Sequence, residues 1–195
     1  VADDIWDLDW MTKLAGQIIA AGILAWQGVA IVSLPIGNTL GVGSSYMSLI
    51  FTVLAVVLVM NAVNFIDGLD GLVAGVCLIA NGVFFVYSYL LVRDAGATSY
   101  ANLGTFLAVV LVGACAGFLP INWNPARMFM GDTGALVVGL LMATSAIAIT
   151  GQLPPAALDQ DVTGRSQIIG TLIPILLPIL VVGLPLADFG MAIIR

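Results

Sequence analysis

Six stretches of this sequence run apolar for about 20 residues each, at roughly 13–34, 47–65, 71–92, 102–120, 134–150 and 168–190. At about 1.5 Å per helical residue, such a run crosses the hydrocarbon core of a bilayer, about 30 Å thick. Lipid offers no partner to a backbone N–H or C=O, so only helices and closed barrels can span it. Barrel strands would alternate in polarity over about 10 residues, and these runs do not alternate. The chain is therefore expected to fold as an all-α, polytopic membrane helix bundle with about six transmembrane helices. Its composition agrees: 8% of the residues are charged, against about 25% in a soluble domain.

Residues 1–195 show no internal repeat and no soluble insert, and are expected to form a single membrane domain. The chain opens "VADDIWDLDW", without an initiator Met or a basic n-region, and stops at "MAIIR" directly after an apolar run. Both ends read as cut, so the segment is expected to be an internal piece of a larger protein.

All eleven acids are Asp, and His is absent. With no His and two cysteines, a structural zinc site or a Ser-His-Asp triad is excluded within the segment. Cys77 and Cys115 lie inside apolar runs and read as small buried hydrophobes.

Six crossings put alternate connectors on alternate sides. The N-terminal "DDIWDLD", the connector "DGLDG", the loop "NPARMFMGDTG" and the C-terminal end then share one face. That face collects Asp3, Asp4, Asp7, Asp9, Asp67, Asp70, Asp132 and Asp188; the other receives Asp94, Asp159 and Asp161. Lys13, Arg127 and Arg195 fall on the acid-rich face, Arg93 and Arg165 on the other, which leans the acid-rich face toward the cytoplasm. "DGLDG" is so short that spans two and three are expected to form a tight antiparallel hairpin. Asp188, in "GLPLADFG", is open to two readings, pairing with a basic group or touching the active site.

Two aspartates beside hydrocarbon need a reason, because even lenient insertion scales charge about 2.5–3.5 kcal/mol for a carboxylate at mid-membrane. In "NAVNFIDGLDGL", Asn64, Asp67 and Asp70 follow at i, i+3 and i+6, on one side of a helix. Gly68 and Gly71 let the backbone turn and approach a ligand. In "GDTG", Gly131 and Gly134 bracket Asp132 ahead of an apolar run, and a helix start there would welcome an anion. Each motif has an ordinary reading: a solvated acidic loop, a turn, a helix cap. Gathered on one face they acquire another. Clustered carboxylates repel one another and a phosphate unless a hard cation such as Mg²⁺ lies between them. That pattern points to metal-assisted phosphoryl transfer at a membrane interface.

"DDIWDLD", "NAVNFIDGLDGL" and "NPARMFMGDTGAL", in that order with apolar spans between, resemble the polyprenyl-phosphate N-acetylhexosamine-1-phosphate transferases, over essentially the whole chain. "NPARMFMGDTG" looks closer to the GlcNAc-1-phosphate branch than to the phospho-MurNAc-pentapeptide branch, which stands as the alternative. The resemblance implies transfer of GlcNAc-1-phosphate from UDP-GlcNAc to a polyprenyl (undecaprenyl or decaprenyl) phosphate. UMP would be released at the cytoplasmic face of the cell membrane, with Mg²⁺ or Mn²⁺ as cofactor, initiating cell-envelope polysaccharide synthesis.

By motif, the resemblance makes Asp132 the metal-binding aspartate, with Asn64 close to metal and pyrophosphate. Asp3 and Asp4 match the pair proposed to activate the lipid phosphate or assist the metal. Asp67 and Asp70 match the pair lining the nucleotide-sugar pocket, with catalytic roles in some proposals. Asn61, Arg127 and Gly131 complete the substrate-binding candidates. It implies about ten or eleven spans in the complete protein and a His-rich loop after Arg195, so this piece alone is expected to be inactive. It admits a homodimer and implies no nucleic-acid partner.

Two other classes are weaker. An intramembrane aspartyl protease needs Tyr-Asp in one span and Gly-x-Gly-Asp in another; "FMGD" lacks the first glycine and no Tyr-Asp occurs. A transporter with an acidic vestibule needs ionisable groups near mid-span, yet spans one to five keep their acids at the ends.

Overall fold

The computed structural model describes residues 9–31, 44–95 and 99–150, with the isolated positions Gly183, Ala187, Gly190 and Met191. Five helices lie within these residues: α1 (Trp10–Trp26), α2 (Ser45–Phe65), α3 (Leu72–Ala95), α4 (Ser99–Asn122) and α5 (Gly131–Thr150). The described residues contain no strand. Four helices, α2 to α5, are long and apolar enough to cross a membrane. The chain is a helical, multi-pass membrane protein.

The expected count of six is met only in part. The span placed at 168–190 falls almost wholly outside the described residues. The span placed at 13–34 gives way to α1, which has 17 residues and stops at Trp26. Gly28 ends it: at φ +94° the backbone turns left-handed, and Gly28 N–H and Val29 N–H return to the Ala25 and Leu24 carbonyls. This is the glycine-terminated helix end that closes the last free carbonyls. Beyond it the chain lies against α2. Ile31 N–H donates to Thr52 Oγ1 at 2.9 Å, and Ser48 Oγ donates to the Ile31 carbonyl at 2.6 Å. Non-helical backbone is tolerated beside a span where protein groups satisfy it in this way.

The expected hairpin of spans two and three is overturned. Although six residues join them, α2 and α3 scarcely touch along their lengths. Instead α2 packs on α5, α5 on α4, and α4 on α3, while α1 rides on the outside of α2. The last described long helix, α5, lies between α2 and α4, and this keeps α2 away from α3. Its burial fits that place: 50% of α5 is enclosed by the bundle, against 22% of α4. A continuous core runs through Val56, Met60, Val63, Val73, Cys77, Leu111, Cys115 and Met142, with both cysteines reduced and buried as expected.

Glycine permits the insertion. A methyl built on Gly139 of α5 would stand 2.8 Å from the Met60 Cα of α2, so the two backbones are in direct contact. Small residues at such crossings are how helices associate in lipid, where no hydrophobic force drives them together. Gly139→Ala should therefore overpack the crossing by about 1–3 kcal/mol and lower the unfolding midpoint of the purified protein by roughly 3–10 °C. Gly113→Ala, with nothing within 4 Å, should leave the midpoint unchanged or raise it slightly. Equal midpoints for the two variants would refute the close α2–α5 crossing.

Candidate active site

The C-terminal ends of α2 and α4 and the N-terminal ends of α1, α3 and α5 meet at one end of the bundle. Helix α2 stops at Phe65, short of both hairpin aspartates. Asp67 N–H turns back to the Asn64 carbonyl, and Gly71, at φ +74°, redirects the chain into α3. The three residues expected on one helical side are thus separated by a turn and point to two places.

Asp70 faces the loop between α4 and α5. Its Oδ2 accepts from the Ala126 N–H at 3.1 Å and from Asn124 Nδ2 at 3.2 Å. Asn122, buried at the end of α4, works beside it. Its Oδ1 accepts from Gly71 N–H at 3.0 Å, and its Nδ2 donates to the Met128 carbonyl at 2.9 Å. Hairpin and loop are fastened together by these two side chains.

Asn64 and Asp67 face α5. Asp132 stands in the first turn of α5, where the unpaired N–H groups of a helix start favour negative charge. Its Oδ2 accepts from Lys13 Nζ of α1 at 3.0 Å, and its Oδ1 from Asn64 Nδ2 of α2 at 3.3 Å. Three helices therefore converge on one carboxylate. Asp67 lies alongside, with the Gly131 N–H directed toward its carboxyl. Its carboxyl is held above the ordinary carboxylate range, first by burial and then by the nearby charge of Asp132, with the Gly131 bond acting in the opposite sense. Gly131 takes φ +67°, a left-handed backbone that glycine adopts without strain.

Residues 1–150 match the pattern of glycosyl transferase family 4, a span that includes all three aspartate motifs. The chain belongs to glycosyl transferase family 4. Among its relatives in that family is the decaprenyl-phosphate N-acetylglucosaminephosphotransferase of Mycobacterium tuberculosis, 39% identical over 99% of this chain and 47% of the relative. The Mycobacterium leprae protein of the same name is 38% identical over 99% of this chain and 48% of its own length. A phospho-N-acetylmuramoyl-pentapeptide-transferase of Shouchella clausii is 39% identical over 69% of this chain and 40% of the relative. The chain spans about half the length of the mycobacterial relatives.

Within this family 4 chain, the geometry divides the site residues proposed from sequence. Asn64, Asp67, Gly131 and Asp132 come together at the start of α5. Asp70 belongs to the hairpin–loop clamp. Asn61 lies one turn deeper on α2, in a reciprocal amide pair with Gln17 at 2.6 and 3.4 Å. Arg127 is exposed, and its backbone N–H donates to the Ile121 carbonyl. Asp3, Asp4 and Asp188 lie outside the described residues.

Two contributors escaped the sequence reading. Lys13 served for orientation only; its place at the very start of the apolar run 13–34, on the acid-rich face, was the available signal. Asn122 carried no signal, since its role depends on a turn fifty residues away.

A divalent cation suits the donor set. Asp132 and Asp67 supply hard carboxylate oxygens, and their mutual repulsion is the kind a cation relieves. Asn64 engages Asp132 through its amide nitrogen, which leaves its carbonyl oxygen as the atom for a cation. Among the described residues no three or more His, Cys, Asp or Glu gather into a metal cage. Mg²⁺ does not require one, because one or two carboxylates suffice where substrate phosphates and water complete the shell.

Proposed function

We propose that the intact protein transfers GlcNAc-1-phosphate from UDP-GlcNAc to a decaprenyl or undecaprenyl phosphate, releasing UMP at the cytoplasmic membrane face. The observation that carries this reading is the convergence of Lys13, Asn64 and Asp67 on Asp132 at a helix start. Hard anionic ligands, a cation and exposed helix N–H groups at one bundle end fit a pyrophosphate better than a neutral substrate. The names of the mycobacterial relatives, which match along nearly the whole chain, support the same acceptor and sugar.

In this reading Asp132 and Asn64 hold Mg²⁺ or Mn²⁺, which would neutralise charge on the transferred phosphoryl group. Lys13 sets the charge and orientation of Asp132. Asp67 flanks the donor diphosphate, its carboxyl favouring the protonated form first because it is partly buried and then because Asp132 is near. Asp70 and Asn122 hold the wall of the nucleotide-sugar pocket by tying hairpin to loop. Asp3 and Asp4 would activate the lipid phosphate. With α1 and the stretch 168–190 counted as crossings the total would be six, and the Lys and Arg balance between the two faces supports the cytoplasmic side for these groups.

The pentapeptide-transferase matches favour a second reading, in which the donor is UDP-MurNAc-pentapeptide. Membranes containing the full-length protein should move labelled sugar from UDP-GlcNAc into organic-extractable lipid. Transfer from the pentapeptide donor instead would establish the second reading. Transfer from neither would overturn both.

A further inference from the structure

The Lys13–Asp132 bond joins α1 to α5, yet among the described helices α1 packs substantially only on α2. Its buried face is small: Gln17, Ala21 and Ala25, one residue per turn. Alanines fit against a neighbouring helix at many heights, so this seam gives α1 adhesion without register. Gln17 differs. It is 6% exposed, and its carboxamide meets that of Asn61 head to tail, donating at 3.4 Å and accepting at 2.6 Å. Asn61 Nδ2 also donates to the Val57 carbonyl at 2.8 Å, which fixes the asparagine on its own helix.

Lys13 lies one turn toward the site from Gln17, and Asn64 one turn toward it from Asn61. The amide pair is therefore the rung beneath the two residues that grip Asp132. A slip of α1 by one turn would move Lys13 by about 5.4 Å, off a contact that is 3.0 Å long. It would also separate the buried Gln17 carboxamide from its Asn61 partner, and a buried polar group without a hydrogen bond is costly. A single buried polar pair that selects one register from many is an established device between packed helices.

We infer that Gln17 and Asn61 are a positioning pair, setting the height of α1 on α2 so that Lys13 and Asn64 share the Asp132 carboxylate. Its relevance to turnover rests on the function proposed above; its effect on geometry does not.

The geometric test uses the full-length protein with Cys77→Ala and Cys115→Ala, and cysteines introduced by Lys13→Cys and Asp132→Cys. A short bis-methanethiosulfonate, which forms a disulfide to each cysteine with loss of two methanesulfinates, should join these positions efficiently when the amide pair is intact. Gln17→Leu with Asn61→Leu should cut the cross-linking yield at least fivefold. Exchanging the amides, Gln17→Asn with Asn61→Gln, should restore it to within about twofold. The near-isosteric Gln17→Met carries the same expectation as the leucine pair if that variant does not accumulate. A merely space-filling role predicts equal yields for the leucine and exchanged pairs, and that result would overturn the inference. So would failure of the intact pair to cross-link.

In the catalytic arm, with the site residues native, the leucine pair should lower turnover at least tenfold at unchanged KM for the donor. The exchanged pair should recover most of it. Absence of turnover in the unsubstituted protein would defeat the functional proposal and leave the cross-linking result to decide this one.

Discussion

Asp132→Asn is expected to lower turnover of the full-length protein about a thousandfold or more, near 4 kcal/mol at about 1.36 kcal/mol per factor of ten. The substitution keeps the shape of the side chain and removes its charge. What disappears is the anion that α1 and α2 address: Lys13 would face a neutral amide, and a cation would lose its principal oxygen ligand. Accumulation in the membrane should stay near normal, because Asp132 is partly exposed and the core packing of α5 lies deeper. The matched control is Asp9→Asn. Asp9 caps α1, accepting from the Trp10 N–H at 2.9 Å, and asparagine caps as well as aspartate. That variant should stay within about twofold of the parent. Binding of Mn²⁺, followed by paramagnetic resonance, should weaken in parallel with turnover for Asp132→Asn alone. Equal behaviour of the two variants in both assays would remove Asp132 from the metal.

The second large effect is all-or-none. Attack of a lipid phosphate on the β-phosphorus of UDP-GlcNAc exchanges one pyrophosphate bond for another of similar energy. The equilibrium constant then lies within roughly a factor of 10–100 of unity, a gap under about 3 kcal/mol. Such a reaction runs backwards readily. Labelled UMP should therefore enter UDP-GlcNAc when polyprenyl phosphate and Mg²⁺ are both present, and a chelator should abolish the exchange. Exchange without lipid would indicate a covalent aspartyl intermediate, for which Asp67, beside Asp132, is better placed than Asp70 in the loop clamp. No exchange with any UDP-sugar from a well-folded preparation would end the transferase proposal.

The membrane class and the meeting of "NFIDGLDG" with "GDTG" at one end were readable from run length and crossing parity; Asp3, Asp4 and Asp188 lie outside the described residues. The partition of Asp67 and Asp70 was not readable. A spacing of three suits one helical side, but that rule lapses where the helix ends, and α2 ends at Phe65. The hairpin expectation failed for a related reason: a short connector fixes where two helices begin and end, and says nothing of what enters between them. Gly139 marks the crossing, but one glycine among 22 does not announce its partner. Lys13 was visible as a charge and invisible as a ligand, since its height on α1 depends on Gln17 meeting a residue on another helix.

The place of α5 between α2 and α4 has a consequence for how the molecule is made. Phe65 leaves the ribosome 85 residues before Thr150, a delay of roughly 4–17 s at about 5–20 residues per second. Throughout that interval α2 has α1 beside it but lacks α5, and its Asn64 lacks the Asp132 it will bind. The nascent chain holds open a slot for a segment not yet synthesised, and closing that slot is the same event that builds the carboxylate centre. Docking of α5 on α2 and formation of the Asn64–Asp132 contact are therefore one event.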